Sequence, residues 1–292
     1  MKNNLVIKSN SLINFKGKYK YSKNELKIIC SLISNVKKED KDFTIKEIEL
    51  SSLGFTDKEF NNHTYLNDLC DDLLSKPFTI PNTKKKVNWF SLLEPENGIL
   101  SYRFDPSLKE HLLDLKGHFT SYYLSNVLRL NSSYSIHIYE LLKQLEGVGF
   151  RKFDLQEFRE LLSIPKTYKL SNIRNLIEKS QLNIIEKTDL RFTYDFIKVG
   201  RSFKYINFKI LKNKNNSNDF KTFIKSVRKN YVNQLILIGN FNKEEKSLSV
   251  NGDGKLYYLD DRKAIDSKTS TKIWDFLFEN QEKMKRYTKS LI

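Results

Sequence analysis

The sequence predicts an α+β chain: two tandem winged helix-turn-helix domains followed by a small C-terminal α/β extension. Three observations carry that expectation. Apolar spacing changes from helical (three and four residues) to strand-like alternation at two places along the chain. Capping-box spacings stand at Ser22-Lys-Asn-Glu25, Thr56-Asp-Lys-Glu59 and Asp154-Leu-Gln-Glu157, each ahead of a helical run. The length, 292 residues, is about twice the ~150 residues of one domain, which argues for two or three.

The first domain, 1–125, opens with a short apolar stretch, Leu5 to Ile7, read as an edge strand. Behind Ser22, Leu26, Ile29, Leu32, Ile33 and Val36 recur at helical intervals. Phe43, Ile45, Ile48 and Leu50 mark a short strand and turn. Thr56 caps a helix carrying Phe60, Leu66, Leu69, Cys70 and Leu73, which Pro77 and Pro81 end. Two β-type runs, Val87 to Leu93 and Ile99 to Phe104, flank the turn-forming Glu94-Pro-Glu-Asn-Gly98. Helix, helix, hairpin is the order of a winged helix.

The order recurs over 126–212. Ser133 to Leu145 is helical, Asp154 opens a second helix that stops before Pro165, and Ser171 caps a long third helix to about Lys187. Its inward face is Ile173, Leu176, Ile177, Ser180 and Ile184. Two strands, Leu190 to Ile197 and Phe203 to Leu211, surround Val199-Gly200-Arg201. Residues 213–219 read as a polar linker. The extension, 220–292, has a basic helix (Phe220 to Asn230), an apolar run at Leu235 to Ile238, a hairpin turned at Asn251-Gly-Asp-Gly254 and a last helix from near Ser270.

Composition sets the class. Lys and Arg number 51 against 35 Asp and Glu, a net charge of +16. Hydrophobic residues at 39% supply real cores. No apolar run approaches the ~18–20 residues of a membrane helix, and the N-terminus has no signal-peptide core. Cys30 and Cys70 stand among apolar helical neighbours and read as core thiols of a reducing cytoplasm. The excess charge is +4 over 1–130, +6 over 131–212 and +6 over 213–292, so no basic tail holds it. A polyanionic partner explains it, with nucleic acid ahead of an acidic membrane surface. A Lys- and Asn-rich genomic bias is the competing explanation.

At Tyr134-Ser-Ile-His-Ile-Tyr-Glu-Leu-Leu-Lys-Gln144 the sequence resembles the plasmid replication initiator family, the iteron-binding Rep proteins with two winged-helix domains. Three more stretches agree in order: Val6-Ile-Lys-Ser-Asn10 with Tyr21-Ser and Glu25, Ile184-Ile-Glu-Lys-Thr-Asp-Leu190, and Gly200-Arg-Ser-Phe-Lys-Tyr-Ile-Asn-Phe-Lys-Ile210. The match covers roughly residues 5–212. One departure stands out. Ile185 occupies a position that is usually polar in such proteins, so the last turn of the helix either reaches DNA or packs.

Candidate contacts follow from the wheel of the Ser171–Lys187 helix. Arg174, Asn175, Glu178 and Lys179 fall on its outer face. Arg can bridge guanine O6 and N7, and Asn can bridge adenine N6 and N7, in the major groove. Ser171 and Asn172 at the N-terminus suit a phosphate. An ordinary solvated face is the alternative, and the resemblance favours DNA. Leu182 also points outward, which marks an early helix end or a partner contact. Lys166 and Lys169 before the helix, with Arg201 and Lys204 at the wing, are positioning contacts to phosphates. Lys84, Lys85 and Lys86 form a second basic group in the first domain, either a clamp or an exposed loop.

Enzyme motifs are missing from the sequence. It has no G-x-x-x-x-G-K-[ST] loop, and His63, His111, His118 and His137 form no H-x-H pair. Neither Asp71-Asp72 nor Asp260-Asp261 has metal-site spacing, no tyrosine has a neighbouring base, and no cofactor or metal is expected. Tyr231, Tyr257, Tyr258, Trp274 and Phe278 of the extension read as core, with stacking on single-stranded bases as the alternative.

The resemblance implies a cytoplasmic bacterial initiator whose second domain reads tandem iterons while the first mediates dimerisation. Monomers would open the origin, dimers would repress the protein's own gene, and host helicase and chromosomal initiator would be recruited. A dimeric winged-helix repressor with no role in initiation is the alternative.

Overall fold

The computed structural model describes residues 4–16, 19–37, 39–53, 63–81, 83–115, 117–212, 227, 235–241, 244–251, 255–258, 263–279 and 288–289. The Thr56 capping box, Phe60, the 213–219 linker, the basic helix at 220–230 (apart from the buried Val227), Tyr231, and Asp260-Asp261 lie outside the described residues. The chain divides into two compact units: Met1–Gly147 with Asp154–Tyr168, and Val148–Phe153 with Lys169–Ile292.

In the first unit, β1 (Leu5–Ser9) is an edge strand that pairs antiparallel with β7 (Phe119–Tyr123). Helix α1 (Lys23–Ile33) starts at the expected capping box: the Glu25 N–H donates to Ser22 Oγ at 3.2 Å, and the Ser22 N–H donates to Glu25 Oε2 at 2.6 Å. Its apolar run is fully buried. After β2 (Lys46–Glu49) comes α2 (His63–Leu74), which buries Leu66, Leu69, Cys70 and Leu73 as the spacing required. The chain then forms a small hairpin, β3 (Phe78–Thr79) and β4 (Lys86–Val87). β5 (Phe90–Glu96) and β6 (Ile99–Phe104) follow, and β2, β6 and β5 make one antiparallel sheet. Asn97 and Gly98, both at positive φ, close the β5–β6 turn.

Short helices α3 (Lys109–Leu112) and α4 (Leu124–Arg129) flank β7. Helix α5 (Ser133–Lys143) follows, and then α6 (Leu155–Leu161), whose cap is Asp154, accepting from the Gln156 and Glu157 N–H groups. The core carries a ring cluster of Phe15, Tyr21, Phe78 and Trp89. It also carries a buried polar knot. Lys8 Nζ lies 2.8 Å from Glu140 Oε1, the Tyr122 hydroxyl donates to the same carboxylate, and Cys30 Sγ is 3.6 Å from both oxygens. Burial opposes both charges, yet each partner stabilises the other, so the Lys8 ammonium is held above its ordinary range and the Glu140 carboxyl below its own. Both cysteines are buried and unpaired with each other, and burial pushes each thiol up to about 12.

The second unit begins with β8 (Phe150–Asp154), whose last residue already belongs to the first unit. It continues with α7 (Leu170–Lys187), β9 (Leu190–Val199) and β10 (Ser202–Lys212). The sheet order is β8-β10-β9, and β9 and β10 pair antiparallel. Beyond it, β11 (Leu235–Phe241), β12 (Glu244–Val250), β13 (Leu256–Tyr258) and β14 (Thr288–Lys289) form a four-stranded sheet in the order β13-β12-β11-β14. Helix α8 (Ser267–Glu279) completes the extension and starts three residues earlier than the sequence pattern placed it. No helix among the described residues is long and apolar enough to cross a membrane.

Candidate nucleic-acid interface

Helix α7 carries most of the candidate residues. Ile173, Leu176, Ile177, Ser180 and Ile184 are buried, so the wheel drawn from their spacing holds. Its start differs from the expectation. The cap position is Lys169, not Ser171, and the helix begins at Leu170. Asn172 stands in the first turn and its Oδ1 accepts from the Lys169 N–H at 2.9 Å, so part of its side chain is committed to helix initiation. Ser171, Asn172, Asn175 and Lys179 are exposed along one stripe. Ser171 and Asn172 stand in the first turn of this 18-residue helix, its positive end, where phosphate oxygens are favoured.

Arg174 is set apart from this stripe. Its guanidinium carbon lies 5.1 Å from the ring centre of Phe196 on β9, so the side chain is stacked at the junction of helix and wing. A guanidinium covered on one face keeps its N–H donors at the edge, and its orientation is fixed in advance. Glu178 is partly buried. It receives Tyr194 Oη at 3.5 Å, and burial first, then the Glu178 charge, lifts the Tyr194 phenol well above its usual range.

The wing is the β9–β10 hairpin, turned at Gly200 with φ +60. Arg201 is exposed at this turn. The strand register shifts between Phe203 and Tyr205, which makes Lys204 the extra residue of a bulge; such a bulge re-aims its side chain. Two cations missed in the sequence reading join it. Lys152 Nζ on β8 and Lys204 Nζ lie 4.0 and 5.6 Å from the Tyr205 ring centre, and Lys198 Nζ lies 4.9 Å from that of Phe203. The alternation of cation and aromatic in Phe196-Ile-Lys198 and Phe203-Lys-Tyr205 was the available signal.

Lys169, Ser171, Asn172, Arg174, Asn175, Lys179, Arg201 and Lys204 thus belong to one compact unit. Lys84, Lys85 and Lys86 belong to the first unit, all exposed at the β3–β4 turn, where the Ile80 N–H donates to the Lys85 carbonyl. Lys166, also exposed, lies in the first unit's loop after α6; Arg159 braces that loop through the Pro165 and Tyr168 carbonyls at 3.3 and 2.5 Å.

The extension meets α7 directly. Ile185 is buried with Leu248, Val250, Leu256, Ile265, Ile273, Trp274 and Leu277 in a single apolar core. Its departure from a polar residue therefore has a packing cause. Gln181 Nε2 donates to the Phe192 carbonyl at 2.5 Å and approaches Thr271 Oγ1 at 3.4 Å, while Arg191 pairs with Asp275 at 2.5 Å. Leu182, the outward leucine, lines a cleft of about 200 Å³ with Asn251 and Tyr257 of the extension. Trp274 is buried, and Tyr258 packs against the same core. Of the four histidines, His137 on α5 is pushed down to about 4 by burial and is a neutral ring at pH 7. Among the described residues no cluster of three or more His, Cys, Asp or Glu has a metal-binding arrangement.

Residues 5–143 match the family model described as "Initiator Replication protein, WH1", and residues 154–210 match "Initiator Rep protein, WH2". Among solved structures the chain is similar to the Pi initiator protein, crystallised in complex with iteron DNA. The identity is 15%, the TM-score 0.58, and the match covers 73% of this chain and 99% of that one. That likeness shows the fold: two winged-helix domains. No curated protein matches the chain. Both family models end ahead of the C-terminal sheet and α8.

Proposed function

Because the chain belongs to the initiator Rep protein family, we propose that this replication initiator binds tandem repeats in double-stranded origin DNA through the second winged helix. The single observation that carries this reading is the Arg174–Phe196 stack, which joins α7 to the basic wing in one surface. Asn175 and Arg174 face bases in the major groove; Arg201, Lys204, Lys198 and Lys152 lie along phosphates and set the register. Ser171, Lys169, Lys179 and the remaining amide capacity of Asn172 add contacts at the helix N-terminus. Lys166 and Lys84–Lys86 contribute backbone contacts from the first unit.

Initiation then needs binding energy alone. Bending or opening the duplex costs on the order of 1–10 kcal/mol, and the protein–DNA interactions that the deformed shape permits offset that cost. No catalytic step is assigned to the protein: the sequence lacks both a phosphate loop and an H-x-H nicking motif. We assign dimers to autorepression, monomers to opening of an AT-rich tract, and host helicase and chromosomal initiator to the partners recruited there, all in the bacterial cytoplasm.

Gel shifts with tandem direct repeats against a single inverted repeat test this reading. Successive monomer complexes on the direct repeats are the expected result. Dimer-only binding to the inverted repeat would instead mark a repressor.

A further inference from the structure

We propose that the C-terminal extension is part of the DNA-reading surface, with Lys255 as a positioning residue that neutralises Glu178 and steadies Asn175 on α7. The proposal rests on the reading of α7 given above and adds a segment that neither family model includes.

Lys255 directly precedes β13. Its N–H donates to Asn251 Oδ1 at 2.8 Å, and the Asn251 N–H donates to the Lys255 carbonyl at 3.0 Å. From that fixed base the ammonium reaches α7, where Nζ lies 2.6 Å from Glu178 Oε2 and 3.4 Å from Asn175 Oδ1. The two charged side chains retain 23% and 13% of their exposure, so the pair is more shielded from solvent than a surface salt bridge. Tyr257 stands on the same strand, with its ring centre 6.0 Å from the ammonium. Ile185, Gln181 and Arg191 anchor the rest of the extension on the same helix and its neighbouring strand, so Lys255 is delivered by a packed scaffold.

The electrostatics give this contact a purpose. Glu178 lies between Asn175 and Leu182 on the face that would approach a polyanion. An uncompensated carboxylate there opposes phosphate, and the extension supplies a cation that cancels it. The hairpin also leaves the stripe open: Ser171, Asn172, Asn175 and Lys179 stay exposed, and the last two line the cleft. A hairpin that only blocked the helix would cover these residues; this one borders them.

The test uses the full-length protein. Wild-type chain enriches duplexes from a random-sequence library, and fluorescence anisotropy then compares wild type, K255M and E178Q/K255M on the enriched duplex and its single-base variants. K255M is expected to bind about tenfold more weakly, the equivalent of about 1.4 kcal/mol, with relaxed preference at one or two base pairs. E178Q/K255M is expected to regain affinity to within about threefold of wild type, because the uncompensated carboxylate is gone. Unchanged K255M binding and preference would overturn the proposal, and tighter K255M binding would show that the hairpin obstructs DNA instead. A loss that E178Q does not rescue, accompanied by a lower unfolding midpoint, would reduce Lys255 to a packing role. If wild type enriches no sequence, the DNA reading of α7 itself fails, and this inference with it.

Discussion

Ile185, near the end of α7, and Trp274, on α8, are buried in one apolar core, 5% and 2% exposed. The extension is therefore continuous with the second winged helix. Ile185→Ala removes three carbons from that core, and a change of this kind costs about 2–5 kcal/mol. Urea unfolding should show a loss in this range, with earlier proteolytic cleavage of the extension. Ile185→Asn should cost at least as much, since it buries an amide without a partner. A loss near zero for Ile185→Ala would mean that the extension folds independently of α7.

Arg174 and Arg201 should separate specificity from attraction. Arg174→Ala removes the stacked guanidinium at the helix–wing junction, at an expected cost of ~1–3 kcal/mol in binding with relaxed preference among bases. Phe196→Leu keeps an apolar side chain but removes the ring, which leaves Arg174 less fixed; the loss should be smaller, on the order of 0.5–1 kcal/mol. Arg201→Ala at the exposed turn should weaken all sequences alike and lower the slope of log affinity against log salt by about one. Anisotropy titrations over a salt series decide this. Intact discrimination in Arg174→Ala would place base reading elsewhere on α7.

The contrast between these residues shows what a single sequence reveals. The α7 register was legible because Ile173, Leu176, Ile177, Ser180 and Ile184 repeat with the helical period and need only a core on one side. The Ser22–Glu25 box and the Asp154 cap were legible because capping is local chemistry. The start of α7 was misplaced by two residues: Lys169 carries no capping oxygen, and Asn172 fills the role from the first turn. Lys255 could not be found this way. Its importance comes from docking a hairpin against a helix far away in sequence, and no period or spacing encodes that. Ile185 was visible only as an anomaly, an apolar residue at a position usually polar in such proteins; the core it shares with Trp274 and Leu277 of the extension accounts for it.

The Lys8–Glu140 pair makes a different prediction, about the first unit. The side chains are 4% and 3% exposed, and the Tyr122 hydroxyl and Cys30 thiol complete the knot. Removing one partner strands a buried charge. Lys8→Met should therefore cost about 3–5 kcal/mol in unfolding free energy, whereas Lys8→Met combined with Glu140→Met should cost markedly less than the sum of the singles. Urea melts of the four proteins form the cycle. Additive losses would show that the two charges do not stabilise each other.

The same knot sets a pH dependence. His137 titrates near 6.5 when unfolded, and burial pushes it down to about 4 in the folded chain. Between those values the unfolded state holds the extra proton, so stability rises with pH across that window and is lost as pH falls through it. Glu140 acts in the same direction. Burial opposes its charge, but Lys8 holds its carboxyl below the ordinary value of 4.5, so its contribution is lost as pH falls through the lowered value. Lys8 acts at the other end: with its folded value raised above 10.5, its contribution is present below 10.5 and lost as pH rises through the raised value. The two buried thiols, raised from 9.0 to about 12, cost stability as pH rises above 9, because only the unfolded chain then releases their protons; stability should therefore be greatest between about pH 7 and 9. A displaced pKa is worth about 1.4 kcal/mol for each pH unit it moves, so His137 alone accounts for up to about 3 kcal/mol of loss between pH 7 and 4. Urea midpoints measured from pH 4 to 8 should follow this slope, and His137→Gln should flatten it between pH 6.5 and 4. An unchanged slope in that variant would place the acid sensitivity on other groups.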